Sequence, residues 1–204
     1  MIDRRTKNAE IFRDTEHRYK SDSELIAIVQ ESTQNQVFIA EKSTVNITTQ
    51  PKTDKAKVVV SGKRSLEAAE VYAKQGKKVC VLNFASATNP GGGVVHGSSA
   101  QEEAICRCST LYPCLNTRKM WNEFYAPHRK ADDPLYNDDC VFTPGVKVFK
   151  SDINFPELLP ETEWWDVDVI TCAAPNLRSI PSNRMNPNAG SRKVDVTYGG
   201  LKVV

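Results

Sequence analysis

The stretch from Val81 to Glu103 constrains this chain more than any other: an apolar, strand-like run enters three consecutive glycines, Gly91-Gly92-Gly93, and a helical pattern follows that opens on Gln101-Glu102-Glu103. Strand, glycine loop and helix in succession form the building unit of open α/β sheets, whose ligands sit beyond the carboxyl ends of the strands. Three adjacent glycines clear the loop of side chains, so its backbone can approach a phosphate or a sugar closely and present N–H groups to it. Each part also has a plainer reading. The glycines can be a tight turn. Glu102 lies three residues after Ser99, as the return half of a capping box would. Glu103 lies one turn before Arg107, the spacing of a surface ion pair, and acidic residues are favoured in any first helical turn.

The same alternation continues along the chain. Residues 4–32 read as helix in two pieces, the second starting from a Ser21 and Glu24 capping box and carrying Leu25, Ile26, Ile28 and Val29. Val37-Phe38-Ile39, Val45-Asn46-Ile47 and Lys57-Val58-Val59-Val60 are short strand candidates. Residues 65–75 place Leu66, Ala69, Tyr72 and Ala73 on one helical face, with Gly76 positioned to end the helix. Residues 78–84 form the continuous apolar run expected of a strand covered by helices on both sides. A helix is expected over residues 99–112, with Ala104, Ile105, Cys108 and Leu111 inward. Residues 116–139, polar and proline-containing, read as a long loop with one helical turn at most around Trp121, Phe124 and Tyr125. Strands follow at 140–142, 146–149 and 167–172, and Trp164 and Trp165 are expected to close the core. The order predicts an α/β domain with a central mixed sheet. Residues 175–200, rich in Asn, Pro, Ser and Gly, read as loop, and Leu201-Lys202-Val203-Val204 as the entrance to a further element, which predicts a chain truncated on its C-terminal side.

A length of 204 residues suits one domain, read here as a helical extension at 1–35 packed on a domain at 36–204. No apolar run approaches the roughly 18 residues that span a bilayer, and the basic N-terminus does not lead into a signal peptide, so the expectation is a cytoplasmic protein with no membrane partner. A net charge of +2 with interleaved signs gives no basic surface for direct nucleic-acid binding; a polyanionic substrate would need a shaped site. The cysteines at 80, 106, 108, 114, 140 and 172 form no CxxC pair. Cys80, Cys140 and Cys172 lie in apolar runs and read as buried, reduced thiols, and no metal site is expected.

Gly91-Gly92-Gly93, seven residues, then Gln101-Glu102-Glu103 resembles the signature of the microbial-type poly(ADP-ribose) glycohydrolases, members of the macrodomain family. The likeness extends to Asn83-Phe84-Ala85, to Arg107 and Ser109-Thr110-Leu111-Tyr112, to Thr143-Pro144-Gly145-Val146 and to Ala173-Ala174-Pro175-Asn176. The resemblance implies a macrodomain-like α/β/α sandwich and a hydrolase, needing no cofactor, that cuts the ribose–ribose bonds of poly(ADP-ribose) and releases ADP-ribose. Its substrate would be the polymer or an ADP-ribosylated protein. Matched by motif, Glu103 is the general acid, with a raised pKa, that then activates water, and Glu102 holds a ribose hydroxyl. Gly91, Gly92 and Gly93 line the diphosphate and distal ribose, Gln101 belongs to the same signature, Asn83 or Asn89 bonds the ribose, and Phe84 is a ligand contact. His96, in the spacer, reads as an exposed loop residue. The family also carries a second glycine-rich loop and an aromatic over the ligand; the sequence up to Val204 contains neither. Three alternatives stay open: an enzyme removing single ADP-ribose units from proteins, a non-hydrolytic ADP-ribose-binding module, and an inactive fragment.

Overall fold

The computed structural model of the chain describes residues 3–43, 56–133, 135–175, 194–197 and 200–203, the last two stretches as backbone only. Helix α1 (Arg4–Ser21) begins where the Asp3 carboxylate accepts the N–H groups of Arg5 and Thr6. Helix α2 (Ser23–Gln34) begins at Asp22, which accepts from Glu24 and Leu25. The cap is therefore Asp22 and not Ser21. Ser21 is still helical and turns its hydroxyl back to the His17 carbonyl, while Asp22 has the extended backbone that a capping residue needs. Strand β1 (Val37–Ile39) follows as expected; Val45-Asn46-Ile47 lies outside the described residues. Residues 57–60 form no strand: Val58, Val59 and Val60 are exposed and pair with no strand among the described residues, and β-propensity alone makes no strand without a neighbour. Helix α3 (Ser65–Ala73) ends at Gly76, whose φ of +72° lets the Lys77 N–H reach the Tyr72 carbonyl at 3.2 Å.

The sheet contains β1, β2 (Cys80–Ala85), β3 (Cys140–Val148) and β4 (Trp165–Ala173) in the order β1-β3-β4-β2, with β2 parallel to β4 and the other pairs antiparallel. It is the mixed α/β arrangement that the sequence predicts. The two strand candidates before and after Gly145 are one strand with a bulge between Thr143 and Val146, where the Gly145 N–H turns to the Asp168 carboxylate at 3.0 Å. Register puts Val81, Val146, Val148, Trp165, Val167 and Val169 on one face. That face packs against Phe12 of α1, Leu66 and Ala69 of α3, Ile105 and Cys108 of α4 (Gln101–Cys108), and Leu111 and Leu115 of α5 (Leu111–Leu115). Trp165 joins this core, and Trp164 packs on Phe149.

The described helices do not cover the opposite face of β2, where Leu82 is 44% and Phe84 58% exposed. An apolar run shows that both faces are apolar, not that both are covered. Cys80, Cys140 and Cys172 lie on that side and are exposed or half-buried, against expectation; the buried thiols are Cys106, Cys108 and Cys114, and all six are free.

Two helical expectations also change. The helix expected over 99–112 is α4 and α5, separated by an extended Ser109 that bridges to Val148. Residues 118–131, expected as loop, are helical: α6 (Arg118–Met120), a π turn (Trp121–Tyr125) and α7 (Ala126–Ala131). Thr117 caps this run at the Met120 N–H, and Met120, Phe124 and Tyr125 are buried against Ala87, Val141 and Ala173. Pro127 is accommodated because the ladder is already widened there, the Ala126 N–H reaching back five residues to Trp121. Beyond Pro175, β5 (Val194–Thr197) and β6 (Gly200–Val203) pair as an antiparallel hairpin, so part of the expected loop is strand; residues 176–193 lie outside the described set.

Candidate functional site

At the carboxyl end of β2 the chain enters the glycine loop. The Gly92 N–H bonds the Asn89 carbonyl at 3.0 Å, Val94 bonds Gly91 at 3.1 Å, and Ser98 bonds Gly93 at 3.1 Å, with a 3-10 turn at Val94–His96 between them. Gly92 has φ of +57°, and a Cβ there would lie 2.6 Å from Oε1 of Glu103 and 3.0 Å from Oε2 of Glu102. Only glycine lets this backbone lie against both carboxylates. The Gly93 N–H donates to Oε1 of Glu103 at 2.9 Å. The N–H groups of Gly92 and Gly93 thus bond within the protein, and what these residues bring to the site is closeness of approach. The loop is held from behind by α1: Arg5 Nε donates to the His96 carbonyl at 2.8 Å, and Asn8 to the Gly97 carbonyl at 3.2 Å. His96 itself is exposed.

The plainer readings of the glutamates do not describe what is seen. The residue capping α4 is Ala100, with no side-chain cap, so Glu102 closes no capping box with Ser99. Arg107 turns to the Ser98 carbonyl and makes no ion pair with Glu103. Instead Oε2 of Glu102 accepts the Ser86 N–H at 2.8 Å, which ties the first turn of α4 to the end of β2. The two residues are buried, 3% and 7% exposed, although they stand at the mouth of a loop. Oε1 of Glu102 is buried without a hydrogen-bond partner among the described residues. Burial pushes the Glu102 pKa up to about 8, the Glu103 charge adding to the rise while the Ser86 N–H and the Asn83 amide oppose it.

Asn83 is fully buried; its Nδ2 donates to Thr171 Oγ1 at 3.2 Å, and its Oδ1 has no partner among the described residues. Asn89 is committed elsewhere, its Oδ1 accepting from Arg129 at 2.7 Å. Gln101 closes the edge of β2: its Oε1 accepts the Phe84 N–H at 2.8 Å, and its Nε2 donates to the Leu82 carbonyl at 2.8 Å and to Ser65 Oγ at 2.9 Å. The Phe84 ring is exposed beside this edge.

Sequence reasoning overlooks Arg129, which donates to the Thr88 carbonyl at 2.7 Å, bonds Asn89, and stacks 4.8 Å from the Trp121 ring. The available signal is the spacing of Trp121, Phe124, Tyr125 and His128, which is helical.

The family model for the microbial-type PARG catalytic domain matches residues 7–151. The chain belongs to this family. Among solved structures, a poly(ADP-ribose) glycohydrolase (PARG) from Thermomonospora curvata is 28% identical, with 88% of this chain and 68% of that one covered and a TM-score of 0.72. The same organism's enzyme bound to the inhibitor ADP-HPD is 28% identical over 92% and 70% of the two chains, with a TM-score of 0.70. PARG from Deinococcus radiodurans in complex with ADP-ribose is 27% identical over 76% and 61%, with a TM-score of 0.60. A comparison with curated proteins gives no match. The matched span contains the PARG signature and every residue of the site described above except Arg5 and Thr171. No helix among the described residues is long and apolar enough to cross a membrane.

Proposed function

We propose that this chain is a poly(ADP-ribose) glycohydrolase that hydrolyses ribose–ribose O-glycosidic bonds and releases ADP-ribose, with Glu103 as its acid and base. The observation that carries the reading is the pair of adjacent, buried glutamates held against a backbone from which glycine has removed every obstruction. Hydrolysis of a glycosidic bond passes through an oxocarbenium-like state, and the departing hydroxyl oxygen needs a proton. Glu103, held by the Gly93 N–H, supplies that proton to the leaving oxygen and then takes one from the attacking water. Water thus ends as the hydroxyl on the released ribose and as the proton on the shortened polymer.

Glu102 does different work. Its carboxyl holds a proton to about pH 8, so the unpartnered Oε1 can donate while the unpartnered Oδ1 of the neighbouring Asn83 accepts, and a ribose with adjacent hydroxyls, each both donor and acceptor, would satisfy the two. Asn83 rather than Asn89 is therefore the ribose contact. Phe84 offers an exposed ring to the ligand, and Gly91, Gly92 and Gly93 let the sugar and diphosphate come close. The six free thiols support a reducing compartment such as the cytoplasm.

The reading is tested by the release of free ADP-ribose from purified polymer, with Glu103→Gln run in parallel. That substitution preserves shape and removes the transferable proton, and the rate is expected to fall by about 10²–10⁴-fold. Equal release from both proteins overturns the role of Glu103. Release from neither contradicts the glycohydrolase reading and leaves an ADP-ribose-binding module.

A further inference from the structure

A polar cavity of about 290 Å³ lies on the side of α4 away from Glu102 and Glu103, lined by Arg4, Lys63, Ser65, Ser99, Gln101 and Asp152 among others. Helices α1, α3 and α4 all start on its wall, at Arg4, Ser65 and Gln101. The first two starts already meet carboxylates: Asp3 accepts at α1, and Asp152 Oδ2 accepts the Leu66 N–H of α3 at 3.1 Å. Helix α4 has no side-chain cap, so no side chain offsets the positive end of its dipole.

The rim is cationic. Arg4 is exposed and has no partner among the described residues, and Lys63 shares its charge with Glu67 at 2.7 Å. The Ser65 hydroxyl accepts from Gln101 at 2.9 Å, which leaves its own hydrogen free to donate. Such a rim attracts an anion and repels a metal ion or an ammonium group. Yet the cavity wall also contains a buried acceptor. The Asp152 side chain is only 3% exposed, and its Oδ1 has no hydrogen-bond partner among the described residues. The nearest cation, Arg64 Nη1, stands 3.8 Å away and donates instead to the Ile153 carbonyl.

The occupant must therefore bring negative charge to the rim and a hydrogen to the buried oxygen. Sulfate has no hydrogen to give and would set its charge against the carboxylate. Inorganic phosphate keeps at least one P–OH proton throughout the neutral range. It can donate that proton to Oδ1 and still present charged oxygens to Arg4, to the Ser65 hydroxyl and to the start of α4. We propose that this cavity is a binding site for inorganic phosphate, in which Asp152 accepts the P–OH hydrogen and so selects phosphate against sulfate. Glu102, Glu103 and the three glycines do not line it, so the assignment does not depend on what the neighbouring site cleaves. Bound there, phosphate ties together the starts of three helices.

The test is calorimetric titration of the whole chain with phosphate and with sulfate, at pH 8 and constant ionic strength. Burial raises the Asp152 pKa while the Leu66 N–H and the Arg64 charge lower it, and at that pH the carboxyl is ionised. Phosphate is expected to bind at least about tenfold tighter than sulfate. Asp152→Asn keeps an oxygen for the Leu66 N–H and turns an NH2 group into the cavity in place of Oδ1. Sulfate is therefore expected to bind that variant within about threefold of phosphate. Arg4→Glu, a change that a helix start tolerates, is expected to weaken phosphate by about tenfold or more without lowering the Tm. Should Asp152→Asn fail to fold, the wild-type ratio and Arg4→Glu decide between them. Absence of phosphate binding, equal affinity of the wild type for both ions, a preference that survives Asp152→Asn, or indifference to Arg4→Glu each overturns the assignment.

Discussion

Glu102 and Glu103 are neighbours in the chain but do not share an environment. Glu103 is met by one backbone N–H of the glycine loop, while Glu102 is sunk beneath it with one oxygen bonded to Ser86 and the other unpaired. The raised pKa of Glu102 has a consequence for stability. The folded protein holds this proton to about pH 8, whereas the unfolded chain releases it near 4.5, so folding binds a proton in between. Its contribution is most favourable below about pH 4.5, declines from 4.5 to 8, and is level above. Glu102→Gln is expected to lose that decline, so the Tm of the variant minus that of the wild type rises from pH 5 to pH 8. A difference that stays flat over the range contradicts the burial argument. At this scale the site was legible where side-chain identity carries the information: three glycines and three residues of the Gln101 motif at a set spacing. The partner of Glu102 was not, because a backbone N–H such as that of Ser86 leaves no mark on the sequence.

Among the elements, the helical run from Arg118 to Ala131 shows how polar composition misleads. Its inward residues recur at helical spacing, but Pro127 and the surrounding charges read as loop, and a π turn is what reconciles the proline with the helix. This run carries Arg129 to the loop, where it holds Thr88 and Asn89. Arg129→Met, which keeps much of the side-chain packing on Trp121 and removes both hydrogen bonds, is expected to cost about 1.5–3 kcal/mol in urea unfolding. A loss below about 0.5 kcal/mol, the range of ordinary surface substitutions, would show that the loop does not depend on this anchor. The strand expectations failed for a related reason at residues 57–60: valines favour extended backbone, but strand formation depends on a pairing partner that local sequence does not reveal.

At the scale of the molecule, the order of helices and strands was readable from hydrophobic periodicity, and the mixed sheet followed from it. Which faces of the sheet are covered was not, since Leu82 and Phe84 look as apolar in sequence as Val81 does. Helix α1 contributes to the main core through Phe12, 1% exposed, and reaches α4 through Thr15 Oγ1, which donates to the Arg107 carbonyl at 2.6 Å. Phe12→Ala is accordingly expected to cost about 3–5 kcal/mol in equilibrium unfolding, with a single transition. A small effect would mean that α1 is an appendage to the fold. The central claim is a division of labour, with Glu103 moving protons and Glu102 holding the sugar. It is tested most directly by measuring kcat/KM of Glu103→Gln and Glu102→Gln on an ADP-ribosyl aryl ether with an acidic phenol as leaving group, with azide added as nucleophile. That reaction needs neither a proton on the leaving oxygen nor a base for water, so Glu103→Gln should recover about 10²-fold or more relative to its defect on polymer, and Glu102→Gln should not. Equal recovery in both variants, or none in Glu103→Gln, would contradict the assignment.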